Sequence, residues 1–213
     1  MSRGNAVAGV FITLEGIDGC GKSTQADRLV AWLEAETGRG VLRTFEPGGW
    51  GIGQSLRSLI LHGDIRDPMT ELLLFLADRN GHLAEVIRPA LDEGRIVLCE
   101  RYSDSTLAYQ AGGRGLDAAL LDRLMGACDF PEPDLTVFLE ISADDAAERL
   151  ISRGRADRIE AGGLAFMERV AAAYGKLARS VGDRALIVPA SGPEDEVERR
   201  IRLGIRERLG VLF

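Results

Sequence analysis

The densest chemistry in the chain is a nine-residue run, Gly16-Ile17-Asp18-Gly19-Cys20-Gly21-Lys22-Ser23-Thr24. Its spacing is G-x-x-x-x-G-K-[ST]. Glycines there let successive backbone N–H groups converge on one anion, and a helix opening at the end of the run adds the positive end of its dipole. Lys22 then reaches the β and γ phosphates of a nucleoside triphosphate, and the Ser23 hydroxyl ligates Mg²⁺. The loop specifies a triphosphate without specifying what receives the phosphate, since GTPases, ATPases and kinases share it. A guanine reader of the form Asn-Lys-x-Asp disfavours itself here. The only lysines are Lys22 and Lys176, and neither follows an asparagine.

Three further groups suit a second, acceptor anion. In Glu100-Arg101-Tyr102 a carboxylate can hold Mg²⁺ through water, and the neighbouring guanidinium can clamp a phosphate with two N–H bonds. Phe75 and Arg79 are four apart, so on a helix they share a face and offer an aromatic plate beside a cation, which suits a planar base with a carbonyl. Arg153, Arg155 and Arg158 crowd a glycine-containing segment that can act as a cationic flap. Each has a plainer reading: a salt bridge at a strand end, a core aromatic with a surface arginine, a solvated loop.

The elements that must position these residues follow from the period of the apolar pattern. Val10–Leu14, Val41–Phe45, Ile96–Cys99, Leu135–Leu139 and Ala185–Val188 read as strands. Helical spacing covers Ala26, Leu29, Val30 and Leu33, then Ile52–Leu61, Thr70–Leu91 (begun by Asp67-Pro68), Asp117–Cys128, Ala143–Ile151, Ala165–Arg179 and Glu194–Leu209. The alternation predicts an α/β fold, a five-stranded parallel sheet with helices on both faces. Ligands of such sheets sit at the carboxyl ends of the strands, here just after residues 14, 45, 99 and 139.

Composition bounds the rest. With 213 residues the expectation is one domain over 10–213, a tail over 1–9 and a lid over about 152–163. The balance of 26 basic and 33 acidic residues gives −7, which argues against a general nucleic-acid or membrane-surface binder. The longest apolar run, Leu72–Ala77, is far short of a bilayer span, and Met1–Gly9 has no apolar stretch of secretory type, so a cytoplasmic protein is expected. Cys20, Cys99 and Cys128 have no metal-like spacing.

Six segments in order resemble the thymidylate kinase (dTMP kinase) family of the bacterial kind, a P-loop NTPase fold of three layers. They are the phosphate loop, Glu46-Pro47-Gly48-Gly49, Leu73–Arg79, Glu100–Gln110, Gly112-Gly113-Arg114-Gly115 and Asp157-Arg158-Ile159-Glu160. The resemblance implies ATP and dTMP as substrates, Mg²⁺ as cofactor and a homodimer. It implies that Asp18 accepts from the 3′-hydroxyl of the acceptor sugar, Phe75 stacks on thymine and Arg79 donates to its O4. Thr106 and Gln110 fall where the family reads the remaining base edge, and Tyr109 closes the 2′ side. Arg57 and Arg101 hold the acceptor phosphate beside Glu46 and Pro47. Ser23 and Glu100 position Mg²⁺, with Glu46 as a helper. The family supplies its transition-state arginine from the phosphate loop or from the lid. The loop position here is Gly19, so the chain resembles the lid type, with Arg153 or Arg155 in that role and Arg158 on the nucleotide.

Three residues depart from the family pattern: Phe45 where an arginine is usual, Trp50 where a small residue is usual, and Glu100 where an aspartate is usual. Loss of the arginine charge is expected to weaken acceptor-phosphate binding by about 1–3 kcal/mol. Two other readings stay open at this point, a kinase for another nucleoside monophosphate and a nucleotide-binding paralogue with weak transfer.

Overall fold

Val10-Phe11-Ile12-Thr13-Leu14-Glu15 turns Val10, Ile12 and Leu14 to one side of its pleat and Phe11, Thr13 and Glu15 to the other, and all six residues are buried, as a central strand covered on both faces must be. In the computed structural model, which describes residues 8–153 and 162–210, it is β1 (Val10–Glu15). With β2 (Val41–Phe45), β3 (Ile96–Glu100), β4 (Leu135–Glu140) and β5 (Ala185–Pro189) it forms one sheet in the order β2-β3-β1-β4-β5. Every pairing is parallel, with Val10 opposite Ile96 and Ile12 opposite Leu135. Parallel neighbours need crossovers, and these are helical: α1 (Lys22–Thr37), α2 (Gly53–His62), α3 (Pro68–His82), α4 (Arg88–Asp92), α5 (Ser103–Thr106), α6 (Ala118–Ala127), α7 (Ala143–Arg153), α8 (Leu164–Ser180) and α9 (Glu194–Arg208).

The pleat sorts the core. Ile12 and Leu14 pack in one cluster with Leu29 and Leu33 of α1 and Ile201 of α9, while Phe11 turns to Leu83, Ile87 and Val97. Among the described residues no helix is long and apolar enough to cross a membrane.

Two differences from the periodicity matter. The helix expected over 70–91 runs from Pro68 to Asp92, starting where Asp67 accepts from Thr70 N at 2.8 Å, but it widens to π geometry over Leu83–Ile87. Pro89, at the start of α4, has no N–H for the carbonyl four residues back, and the wide turn lies just before it. Second, α5 continues in π geometry over Leu107–Gly113, where no element is expected. Its buried residues include Asp104, Ser105, Thr106, Tyr109 and Gln110, so it lacks an aliphatic stripe to announce it.

Candidate active site

The carboxyl ends of β1, β2 and β3 open on a cleft of about 230 Å³. The loop after β1 contributes Asp18, Gly19, Gly21, Lys22 and Ser23, and the turn after β2 contributes Glu46 and Pro47. The helical segment after β3 gives Arg101, Ser105, Thr106, Tyr109 and Gln110; α2 and α3 add Arg57, Leu61, Phe75 and Arg79. The segment after β4 does not reach this cleft among the described residues: Glu140 and Ile141 line a separate small cavity with Gly16, Ile17 and Tyr174.

At the phosphate loop, α1 starts from Gly21 at φ 96° with no side-chain cap, so its first-turn N–H groups have no intrahelical partner and are free for an anion. Lys22 Nζ lies 3.0 Å from the carbonyl oxygens of both Gly16 and Ile17, which folds the ammonium over the loop. Ile17 belongs to the loop through its backbone, since its side chain packs in the core, while the buried Cys20 also presents its Sγ to Lys22 Nζ at 3.5 Å. Thr24 follows in α1, half-buried. Gly19 has φ 85°, and a Cβ there would meet the Ala146 carbonyl oxygen at 2.5 Å, so this loop has no room for an arginine.

Ser23 Oγ donates to Glu100 Oε2 at 2.6 Å, and Arg43 donates to the other oxygen at 2.8 Å. A hydroxyl and a carboxylate converging at a phosphate loop are hard oxygen donors of the kind Mg²⁺ takes.

Arg101 is a non-glycine residue at φ 66°, a conformation that costs about 1–2 kcal/mol. It is held there from both sides: its own N–H donates to Leu14 O at 2.9 Å, and the next N–H, of Tyr102, donates to Glu15 Oε1 at 2.6 Å. The turn delivers the guanidinium to Asp18, with which it pairs, and to the Tyr109 hydroxyl at 3.2 Å, its carbon 5.0 Å above the Tyr109 ring centre. Tyr109 in turn donates to Asp18 at 2.7 Å. Burial opposes the charge on Asp18, but Arg101, Lys22 and the Tyr109 hydroxyl outweigh it and hold the carboxyl below the usual range. Glu15 goes the other way: burial and the nearby Asp104 push its pKa up.

On the acceptor side, Arg79 is almost wholly buried and spoken for. Nε donates to Glu46 at 2.7 Å, Nη1 to Thr106 Oγ1 at 2.8 Å, and Nη2 to the Tyr102 carbonyl at 2.8 Å. Gln110 donates through its amide NH₂ to Glu71 at 3.1 Å. Arg57 donates to the Pro47 carbonyl at 2.8 Å. The carboxylate of Glu46 is divided between Arg79 and His82 Nδ1, the latter at 3.1 Å.

A profile of the thymidylate kinase family matches residues 14–201. A thymidylate kinase of Leifsonia xyli subsp. xyli is 48% identical over 205 residues, 94% of this chain and 96% of its own length. One of Solidesulfovibrio magneticus is 45% identical over 90% of this chain and 96% of its own length. The crystal structure of a thymidylate kinase from Ehrlichia chaffeensis superposes with a TM-score of 0.77 at 30% identity, covering 93% of this chain and 99% of that one. The chain belongs to the thymidylate kinase family.

Within that kinase frame the departures have definite places. Phe45 ends β2 with its ring under Arg57, whose guanidinium carbon is 5.4 Å from the ring centre, so the aromatic supports a neighbouring cation where the family usually has a second one. Glu100, one methylene longer than aspartate, spans to both Ser23 and Arg43. Of the lid arginines, Arg153 ends α7, and Arg155 and Arg158 lie outside the described residues, as does most of the expected tail. Several groups at this kinase site escape sequence reasoning. His82 is fully buried, between Glu46 and Thr44 Oγ1, the latter at 2.6 Å. Its position three residues after Arg79 on α3 is the signal that could have found it. Glu15 has a signal too, as a carboxylate abutting the phosphate loop. Arg149 of α7, with Nη groups 3.5 Å from the Gly19 carbonyl and 3.1 Å from the Ala190 carbonyl, has none in local sequence.

Proposed function

We propose that this kinase transfers the γ-phosphoryl of ATP in line to the 5′-phosphate of dTMP, giving dTDP and ADP, with the following division of labour. The observation that carries the reading is that Lys22 of the phosphate loop and the Phe75, Arg79, Gln110 group line one cleft. ATP places its phosphates against Gly16–Thr24, with Lys22 on the β and γ groups and Arg158 on the nucleotide. Ser23 and Glu100 would hold Mg²⁺, which would supply positive charge against the phosphates during transfer.

The acceptor lies with thymine on Phe75 and its O4 against an N–H of Arg79. The Gln110 amide, tied through its NH₂ to Glu71, keeps its carbonyl oxygen for the N3–H of the base. Thr106 completes this edge, Asp18 accepts from the 3′-hydroxyl, and Tyr109 closes the 2′ side. Arg57 and Arg101 hold the acceptor phosphate beside Glu46 and Pro47. No strong base is required, because the attacking oxygen already belongs to a phosphate; the residues work by positioning and by neutralising charge. Arg153 or Arg155 supplies the transition-state cation. Residues 10–213 act as one domain in a cytoplasmic homodimer.

The test is a coupled ADP-release assay with ATP and Mg²⁺ over dTMP, dUMP, dCMP and dGMP, repeated for Arg153→Ala and Arg155→Ala. A rate that requires dTMP is expected, with one arginine variant losing about 10³-fold in kcat at unchanged ATP affinity. ATP binding without any dTMP-dependent rate would refute the reading.

A further inference from the structure

Trp50, one of the departures from the family pattern, is built into the floor under the acceptor side. Its indole Nε1 donates to Asp78 Oδ1 at 2.9 Å. Asp78 is fully buried, and both its oxygens accept the Gly48 N–H, at 3.1 and 3.0 Å. The same short stretch is gripped from α2 by its carbonyls: Arg57 donates to Pro47 O and Gln54 to Gly48 O, each at 2.8 Å. The turn that presents Glu46 and Pro47 to the cleft is therefore clasped between two helices. The clasp from α3 depends on a carboxylate that has lost its water and takes its side-chain partner from Trp50.

The neighbours make room for the indole. The three nearest atoms to a Cβ built at Gly81, one turn along α3 from Asp78, all belong to Trp50, two of them at 2.3 Å. A Cβ at Gly53 would meet the other end of the same ring at 2.5 Å. Glycine inside a helix is unfavourable relative to alanine, so Gly81 weakens α3 and in return admits the ring. Trp50, Gly53 and Gly81 form a fitted set.

We propose that Trp50 is a positioning residue for the nucleoside monophosphate acceptor: through Asp78 and Gly48 it fixes the turn that carries Glu46 and Pro47 and, with them, Arg57 and Arg79. The proposal rests on the acceptor site assigned above. It places the Trp50 effect on dTMP rather than on ATP, whose phosphate loop lies on β1 and α1.

The first variant is Trp50→Phe, which keeps most of the ring and removes its N–H. The expected result is a rise of about five- to tenfold in KM for dTMP, the scale of one hydrogen bond lost to a buried carboxylate, with KM for ATP within about twofold. Amide exchange at Gly48 should quicken by a similar factor, and this readout needs no catalysis. The second variant, Gly81→Ala, removes no hydrogen-bonding group yet should raise KM for dTMP in the natural background by pushing the indole off Asp78. In a Trp50→Ser background the same change should do nothing further.

Equal shifts for dTMP and ATP, unchanged Gly48 exchange in Trp50→Phe, or additive effects of Gly81→Ala and Trp50→Ser would each overturn the proposal. Should Trp50→Phe not fold, the Gly81→Ala pair carries the test alone. Absence of any dTMP-dependent rate in the unmodified protein is a different result, which strikes the assignment of the acceptor and leaves the Gly48 exchange comparison standing.

Discussion

Replacing the acceptor base, dTMP by dCMP, tests the rigidity of the base reader. Cytosine presents an amino group where thymine has O4 and an unprotonated N3 where thymine has N3–H. Arg79 cannot turn away from the amino group, because all three of its nitrogens are anchored, to Glu46 at 2.7 Å and to Thr106 and Tyr102 O at 2.8 Å. Gln110 cannot flip its amide, because Glu71 accepts its NH₂ at 3.1 Å and a carboxylate offers no donor in exchange. Each mismatch leaves buried groups of one kind facing each other, at about 1–3 kcal/mol apiece. Two of them give roughly 2–6 kcal/mol, or about 30- to 10⁴-fold in kcat/KM. Uracil lacks only a methyl, so dUMP should lose about 10- to 100-fold.

The anchoring itself is tested by Glu71→Gln. A glutamine at 71 can turn its NH₂ toward Gln110, giving up the Arg114 Nε contact at that end (3.2 Å) and keeping its oxygen for Arg114 Nη2, so Gln110 can flip to donate to cytosine N3, and one of the two mismatches disappears. The dTMP-to-dCMP ratio of kcat/KM, read by coupled ADP release, should then fall about tenfold, with the loss mostly in discrimination rather than in the dTMP rate. A dCMP rate within tenfold of the dTMP rate in the unmodified protein, or a ratio indifferent to Glu71→Gln, would refute this account of the base edge.

Three further outcomes are expected. Glu100→Gln removes the charge beside Ser23 and should lower kcat by about 10- to 100-fold, shift the Mg²⁺ titration of the initial rate to higher concentration and leave KM for dTMP in place. Glu15 has a folded pKa above its unfolded one, so as pH rises through the ordinary glutamate range the folded state binds more protons than the unfolded and stability falls, until the folded pKa is passed. Glu15→Gln should flatten that slope in a series of urea titrations across pH. Gly19→Ala puts a Cβ at φ 85° and 2.5 Å from the Ala146 carbonyl oxygen, and should lower Tm by roughly 4–8 °C, on the scale of 2 kcal/mol, while weakening ATP binding.

Much of the fold was legible because it rests on local period. β3 is apolar on both faces up to Cys99, Asp67-Pro68 starts a helix by capping and by its fixed φ, and the strand–glycine loop–helix order points to a triphosphate. Where periodicity failed, the cause is the site itself. The segment 103–113 is a helix that turns Ser105, Thr106, Tyr109 and Gln110 to the cleft, so its buried face is polar and carries no aliphatic stripe. The resemblance of that segment to a kinase family singled out Thr106, Tyr109 and Gln110, which line the cleft and which its hydrophobic pattern hides.

The amino-acid sequence by itself determined the strands and helices of the α/β alternation and the phosphate loop, because each depends on neighbours a few positions apart. Tertiary structure alone decided how those residues are held. Glu15 reaches across 87 positions to hold the backbone at Tyr102 and keep Arg101 in its left-handed turn. His82 and Glu46, 36 positions apart, meet under Arg79. Phe45 replaces a charge and yet supports Arg57, and Trp50 fits into a space that Gly53 and Gly81 leave open. Such contacts join strand ends to helices far off along the chain, and their geometry is fixed only when the sheet has set the register and the helices have packed on it.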